Sequence, residues 1–297
     1  MTISRLQPDV QKDFYMKTAA WITLGLLIII TLACTATIPV ARMQTGETQT
    51  LNFNEPAPQT SVPALLSITM GAGTLQIDSG ATGLVEGTIK YNVADWKPVV
   101  SHQGSTVSIT QGTNYNNQLP PQNVVNDWLL KLGKTPTNLT INAGAYDSTL
   151  ALGGIPLTDL TINDGASNTS ISFTAPNPAR MQHLVYKTGA STVNITGLGN
   201  ANVSDMSFEG GAGSYILDFS GKLQQVSNVH ISSGVSNFKV IVPSTTACKV
   251  ILTGAMNSVN TQGAWTVNAE TYSLPGQGPL LTITVELGVG SLELDAQ

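Results

Sequence analysis

The chain has 297 residues and a net charge of -5, with 10% charged and 6% aromatic residues and 28 glycines. That length builds one large or two ordinary domains with a real core, and a chain so poor in charge is not a disordered polyelectrolyte. Beyond Arg42, nine Lys or Arg face sixteen Asp or Glu, a balance that offers nucleic acid no attraction and is weakly repelled by an anionic membrane.

In chain order, residues 1–17 are polar and carry Arg5, Lys12 and Lys17. From Thr18 to Ala41 a run of twenty-four residues holds no charge, enough to span a hydrocarbon core of ~30 Å as one helix. Basic residues precede the run and only Arg42 closely follows it, so the expected orientation puts the amino terminus in the cytoplasm and the bulk of the chain outside. Two other readings stand beside the uncleaved anchor: a cleaved signal peptide, and a lipoprotein signal ending before Cys34. Leu32-Ala33-Cys34 resembles the end of a lipobox with Cys34 lipidated, although Thr31 departs from the usual branched aliphatic. Residues 42–63, with Pro56, Pro58 and Pro63, read as an extended, exposed spacer.

Residues 64–120 read as a first β-domain. Leu66 and Ile68 precede Gly71, and Leu75 and Ile77 follow it; then VEGTIKYNV, KPVVSHQ and STVSITQ predict a meander of short strands. A loop rich in Asn, Gln and Pro separates it from a second β-region, 121–297, which opens on WLLKL. Gly133 and Pro136 leave no room there for an ordinary helix, so Trp128, Leu130 and Leu132 are expected to point inward from a strand.

From Leu139 one frame recurs. Its glycines, Gly144, Gly165, Gly189, Gly211 and Gly234, are 21, 24, 22 and 23 residues apart. Apolar residues sit at odd offsets before each glycine and at even offsets after it, which means two period-2 segments joined at a break of phase. Each unit therefore reads as two strands with a bend between them. The glycine is expected to supply positive φ and the small residue after it to permit close stacking. Units of about 22 residues stack like the coils of a β-solenoid, each stabilised by its neighbours. Leu139, Leu160, Leu184, Met206 and Val229 would form one ladder, and Ile141, Ile162, Tyr186, Phe208 and Ile231 the next. The frame slips around Gly254 and returns at Gly288, as expected of atypical terminal coils.

Chemistry is thin. The GAG turns at Gly71 and Gly211 and the GVG turn at Gly288 lack the third glycine of a nucleotide loop, and a strand follows each. GGAGSY at Gly210 has Tyr215 where a calcium-binding nonapeptide has Asp. His102, His183 and His230 have no second ligand at metal spacing, and Cys248 reads as an ordinary strand residue. Asp147, Asp164, Asp205 and Asp218 lie near successive bends, which solvates turns or makes an acidic edge for a cation. The sequons at Asn138, Asn168, Asn194 and Asn202 are what chance gives in so polar a chain. No catalytic, cofactor or metal residue is assigned, and no enzymatic activity is expected.

The stretch MGAGTLQIDSGATGLVEGTIKYNVADWKPVVSHQGSTVSI, with NDWLLKL and the L-x-I-x-x-G-A units after it, resembles the toast-rack domains of bacterial envelope proteins and the related cell-wall-stress-response and adhesin-like families, over about Ala64 to Gln297. The resemblance implies an all-β stack outside the membrane, on an anchor, with no catalytic residues to carry over. The expected function is a non-enzymatic module that senses, binds or modulates a partner at the bacterial cell envelope, the partner being an envelope protein or a cell-wall glycan. The alternatives are an adhesive or structural surface protein contacting cell-wall glycans and, by fold analogy alone, a polysaccharide hydrolase or lyase on a β-helix.

Overall fold

The computed structural model describes residues 44–112, 123–254 and 258–297. The apolar run 18–41 and Cys34 lie outside them; among the described residues no helix is long and apolar enough to cross a membrane. The described chain is all-β, with sixteen strands joined in one sheet.

Five of the repeat units form five long strands: β7 (Thr137–Ala151), β8 (Leu157–Ser172), β9 (Met181–Thr196), β10 (Val203–Asp218) and β11 (Ser227–Val242). Each crosses its glycine without interruption, so the unit is one bent strand rather than two. The strands pair in parallel, and the register aligns the expected ladders: Leu139, Leu160, Leu184, Met206 and Val229 are successive partners, as are Ile141, Ile162, Tyr186, Phe208 and Ile231. The first ladder extends to Leu66 on β2 (Ala64–Ser79) at one end and to Ile283 on β16 (Gln277–Ala296) at the other.

The break of phase folds each strand over its own core. Leading-arm Phe208 stacks on Tyr186 at 5.2 Å and meets trailing-arm Tyr215 at 4.9 Å and Phe238 at 5.3 Å. Parallel neighbours ordinarily need a crossover of about a dozen residues. Here the bend carries each strand's end back near its start, and the short segments 152–156, 173–180, 197–202 and 219–226 suffice. Amide side chains tie these returns together: Asn177 Nδ2 donates to the Leu157 and Ala201 carbonyls at 2.8 and 3.1 Å, Asn202 Nδ2 to Ala179 at 2.9 Å, and Gln225 Nε2 to Asn202 at 2.7 Å. The Asn202 sequon thus falls on an amide already committed inside the stack.

The bend glycines have a different reason from the one expected. None of Gly144, Gly165, Gly189, Gly211, Gly234 and Gly288 has positive φ. What they share is proximity: a Cβ on each would stand 2.3 to 2.9 Å from the carbonyl oxygen of the bend glycine on the preceding rung. Backbone lies on backbone along the whole bend, and a side chain there has nowhere to go.

Both ends of the stack depart from sequence order. β16 inserts between β11 and β12 (Thr246–Thr253), so the recovered frame at Gly288 sits against Gly234, and the slipped segment around Gly254 is displaced outward. The outermost coils are split. β5 (Thr106–Thr110) pairs the leading arm of β2 and β6 (Asn126–Leu132) the trailing arm; β12 and β13 (Ser258–Gln262) do the same to β16. Where the first split coil lacks a continuous bend, Gln111 Oε1 accepts from Gly71 N at 2.8 Å and from Asn126 Nδ2 at 2.9 Å, and Asn126 Oδ1 accepts from Trp128 Nε1 at 2.8 Å. Trp128, Leu130 and Leu132 are buried as expected.

The anticipated meander is not formed. β4 (Val99–Gln103) and β5 make a hairpin, but β3 (Val85–Tyr91) pairs β6 and β1 (Gln49–Glu55). Periodicity marks strands and not partners, and both flanks of β2 are taken by parallel neighbours. Strand β1 comes from the segment read as a spacer; its Leu51 and Phe53 alternate with polar residues and pack on the core edge. At the far end β15 (Thr271–Pro275) and β14 (Thr266–Asn268) close the sheet beyond β12.

Candidate functional site

Inside the bend the core is polar. The residues just before and two after each bend glycine face one another across it, and on β8 to β11 they are Asp164 and Ser167, Thr188 and Ser191, Gly210 and Gly213, Ser233 and Ser236. Asp164 is the charged member of this seam. Its carboxylate accepts from Tyr186 OH at 2.7 Å and from Ser167 Oγ at 3.1 Å, and also from Thr188 Oγ1. Ser191 Oγ extends the network to the Ser167 amide at 3.0 Å. The glycine pair on β10 has its own cause: a Cβ at Gly210 or Gly213 would stand 2.9 or 2.7 Å from the Tyr215 hydroxyl, so the end of the phenol occupies the room that side chains take on the other rungs.

Burial next to a carboxylate moves the phenols. Tyr146 is pushed up to about 12, first by desolvation and then by the charge of Asp164; it lies near Ser148, Thr169 and Tyr186 but makes no well-formed hydrogen bond. Tyr186 is raised further by burial, Tyr146 and Asp164, and Tyr215 is raised by burial and Asp164. The hydroxyls of Tyr215, Ser233 and Ser236 are also buried without a protein partner.

An open groove of about 520 Å³ runs beside this seam at the bends of β8 to β11, lined by Asp164, Lys187, Thr188, Glu209, His230 and Ser233 among others, the Ser233 hydroxyl itself being buried. Lys187 Nζ is 3.0 Å from Glu209 Oε1. His230 also borders a second hollow, which continues along the leading arms past His183, Asp205 and Asn228.

The four aspartates do not converge. Asp164 is in the seam, Asp205 accepts from Asn228 at 3.4 Å, Asp218 caps the Ser220 amide at 2.7 Å, and Asp147 lies on the trailing arm between Thr74 and Asn168. Among the described residues no three His, Cys, Asp or Glu side chains form a metal-holding group. His102 pairs with Glu55 at 3.1 Å and His183 with Asp159 at 3.0 Å; Cys248 is buried on β12, its thiol pushed up to about 12 by desolvation. Among the described residues no hydroxyl of the seam has a histidine or lysine as hydrogen-bonding partner; the hydroxyls gather on the Asp164 carboxylate and on one another. Sequence reasoning passed over the seam. Its signal was there in the polar residues next to the bend, inside a frame whose outer positions are apolar.

Fold and site together define a stack of parallel β-strands with a polar groove along its bend. Residues 43–195 match the N-terminal domain of toast_rack, DUF2154, and the chain belongs to this family. No curated protein matches it. Among solved structures, a proposed cell adhesion protein of Clostridium sporogenes is 17% identical with a TM-score of 0.48, over 84% of this chain and 99% of that one. A proposed lipid-binding protein of Parabacteroides distasonis is 10% identical with a TM-score of 0.43, over 85% and 99%. Likeness at this level bears on neither ligand nor role.

Proposed function

We propose that the chain is a non-enzymatic binding module of the bacterial cell envelope, held on the outer side of the membrane by residues 18–41. The groove carries this reading: it is open, polar and built on rigid strands, and it holds hydrogen-bonding groups without a base poised on a nucleophile. The uncharged run of twenty-four residues supports the tether. The test is fractionation of cells expressing the full-length protein, protease treatment of intact spheroplasts, and capture after crosslinking. Membrane recovery, external cleavage and a specific envelope component in the capture are expected; a protein in the soluble cytoplasmic fraction overturns the reading.

A second reading, an adhesive surface protein on cell-wall glycan, is favoured by the short polar side chains facing outward on the trailing arms, such as Thr149, Ser170 and Asn194. Sedimentation of the full-length protein in mild detergent with isolated cell wall separates the two. The adhesive reading requires co-sedimentation, and substitution of Thr149 and Ser170 by bulky residues should weaken it more than a change in the groove does.

A further inference from the structure

We propose that the outer face of the trailing side at the amino-terminal end of the stack, across β1, β3, β6, β2, β7 and β8, binds the glycan strand of the cell wall, an uncharged chain of β-linked N-acetylated sugars laid one ring to a strand. This rests on the reading of the chain as a surface protein on cell-wall glycan. Two further hollows adjoin there, of about 590 and 280 Å³, and share Gln76 and Leu129 in their linings. Register partners run through both as a single row: Asn52, Thr88, Leu129, Gln76, Thr149 and Ser170. At ~4.8 Å between strands the row is about 24 Å long. A β-linked glycan is extended and advances by nearly that strand spacing per ring, so successive rings meet successive strands.

Other partners fit this face less well. The row itself carries no charge, and the charges beside it fall in opposite-sign register pairs, with Glu86 and Asp78 on either side of Lys131 and Lys90 against Asp127. With Asp147 the acids are in surplus, which disfavours nucleic acid or any other anionic chain. Leu129, 47% exposed, is the one large apolar side chain exposed on this face among the described residues. It is enough for the C–H face of one sugar ring and too little for a lipid surface or a protein interface. From β3 to β8 each strand is paired on both sides, so a peptide finds no edge here to join as a further strand. The amides and hydroxyls of the row instead both donate and accept, as sugar hydroxyl and acetamido groups require. No aromatic ring stands in the row, which implies affinity in the millimolar range for a short oligosaccharide.

The experiment is saturation-transfer NMR and calorimetry on the full-length protein in mild detergent with chitobiose, chitohexaose and maltohexaose, the last an α-linked chain that coils and falls out of step with the strands. Chitohexaose should bind about 10-fold more tightly than chitobiose, and maltohexaose no better than the disaccharide. Leu129→Asp should lose most of the binding, and Leu129→Trp, which adds a ring for stacking, should tighten it several-fold. Val235→Asp, the same kind of exchange at an exposed valine of the bend, should bind as wild type. Thermal unfolding of each variant reports whether it folds; should Leu129→Asp not fold, Gln76→Ala and Thr149→Ala carry the comparison, each weakening chitohexaose. Equal binding of the two hexasaccharides, no gain with length, or binding unaffected by these changes overturns the proposal. A protein that co-sediments with isolated cell wall yet binds no chitohexaose at millimolar concentration would sink the site assignment and leave the adhesive reading intact, whereas failure of both removes that reading as well.

Discussion

Replacing a bend glycine by alanine tests the close contact between rungs. At Gly189 the added Cβ would lie 2.4 Å from the Gly165 oxygen, 1.0 Å inside the 3.4 Å at which ordinary contact begins; at Gly234 the distance is 2.9 Å, a shortfall of 0.5 Å. The obstacle is a backbone carbonyl in a register fixed on both sides, so it cannot swing away as a side-chain end does. Overpacking of this kind costs ~1–3 kcal/mol, and the stiffer unfolded chain returns ~0.4–1 kcal/mol. Since φ at both positions is ordinary, sterics alone should set the difference. Gly189→Ala is expected to lose about 2 kcal/mol, and Gly234→Ala less than about 1 kcal/mol. In a domain of this size Tm falls by ~2–4 °C per kcal/mol. Urea and thermal unfolding of the full-length variants, side by side, measure both. A Gly189→Ala protein as stable as wild type, or a reversed order, refutes the backbone-contact account.

Other substitutions follow from the same geometry. Phe208→Ala removes a buried ring in contact with Tyr186, Tyr215 and Phe238, and should cost ~3–5 kcal/mol, against under about 1 kcal/mol for the adjacent exposed Glu209→Ala, both read by urea unfolding. Asp164→Ala strips the acceptor from Tyr186, Thr188 and Ser167 and should cost ~1–3 kcal/mol, with Tyr186→Phe in the same background recovering part of it. Tyr146 holds its proton more tightly folded than unfolded, so its contribution is complete below the unfolded phenol range and is lost as pH rises through about 12. Stability should therefore fall steadily above pH ~10, and Tyr146→Phe should remove only its own share of that loss, since Tyr186 and Tyr215 are raised as well. The Cys248 thiol should react with a water-soluble disulfide reagent far more slowly in the native protein than in urea.

Much of the fold was legible because burial imposes period 2 and the bend imposes a break of phase. Leu139 to Val229 and Ile141 to Ile231 could be aligned by counting from the glycines alone. Pairing at the ends was not legible, since a parallel strand leaves no local mark of its partner: nothing in LTITVELGVGSLEL says that β16 passes beside β11 and pushes β12 outward. Strand β1 was hidden by the prolines around it, and seven residues of weak alternation do not announce an edge strand. The glycines were read correctly as the bend and wrongly as positive φ, because sequence cannot show that the neighbouring rung lies under 3 Å from the missing Cβ. The seam is half legible. Asp164, Thr188 and Ser233 share one offset from their glycines, but the link from Tyr186 to Asp164 joins two different rungs, and only the stacked register reveals it.

The stack with β16 seated on β11 is tested most directly by spin-label distances. Cysteines would be introduced at the exposed register partners Val235 and Val289, and separately at Ala145 and Val289, in a chain carrying Cys34→Ser with the buried Cys248 retained. Adjacent strands predict a Val235–Val289 separation of about 5 Å, seen as strong dipolar broadening, and the rungs between β7 and β16 predict about 24 Å between Ala145 and Val289. A Val235–Val289 spectrum without close-range broadening, as in a stack that places β12 next to β11 in sequence order, would contradict it.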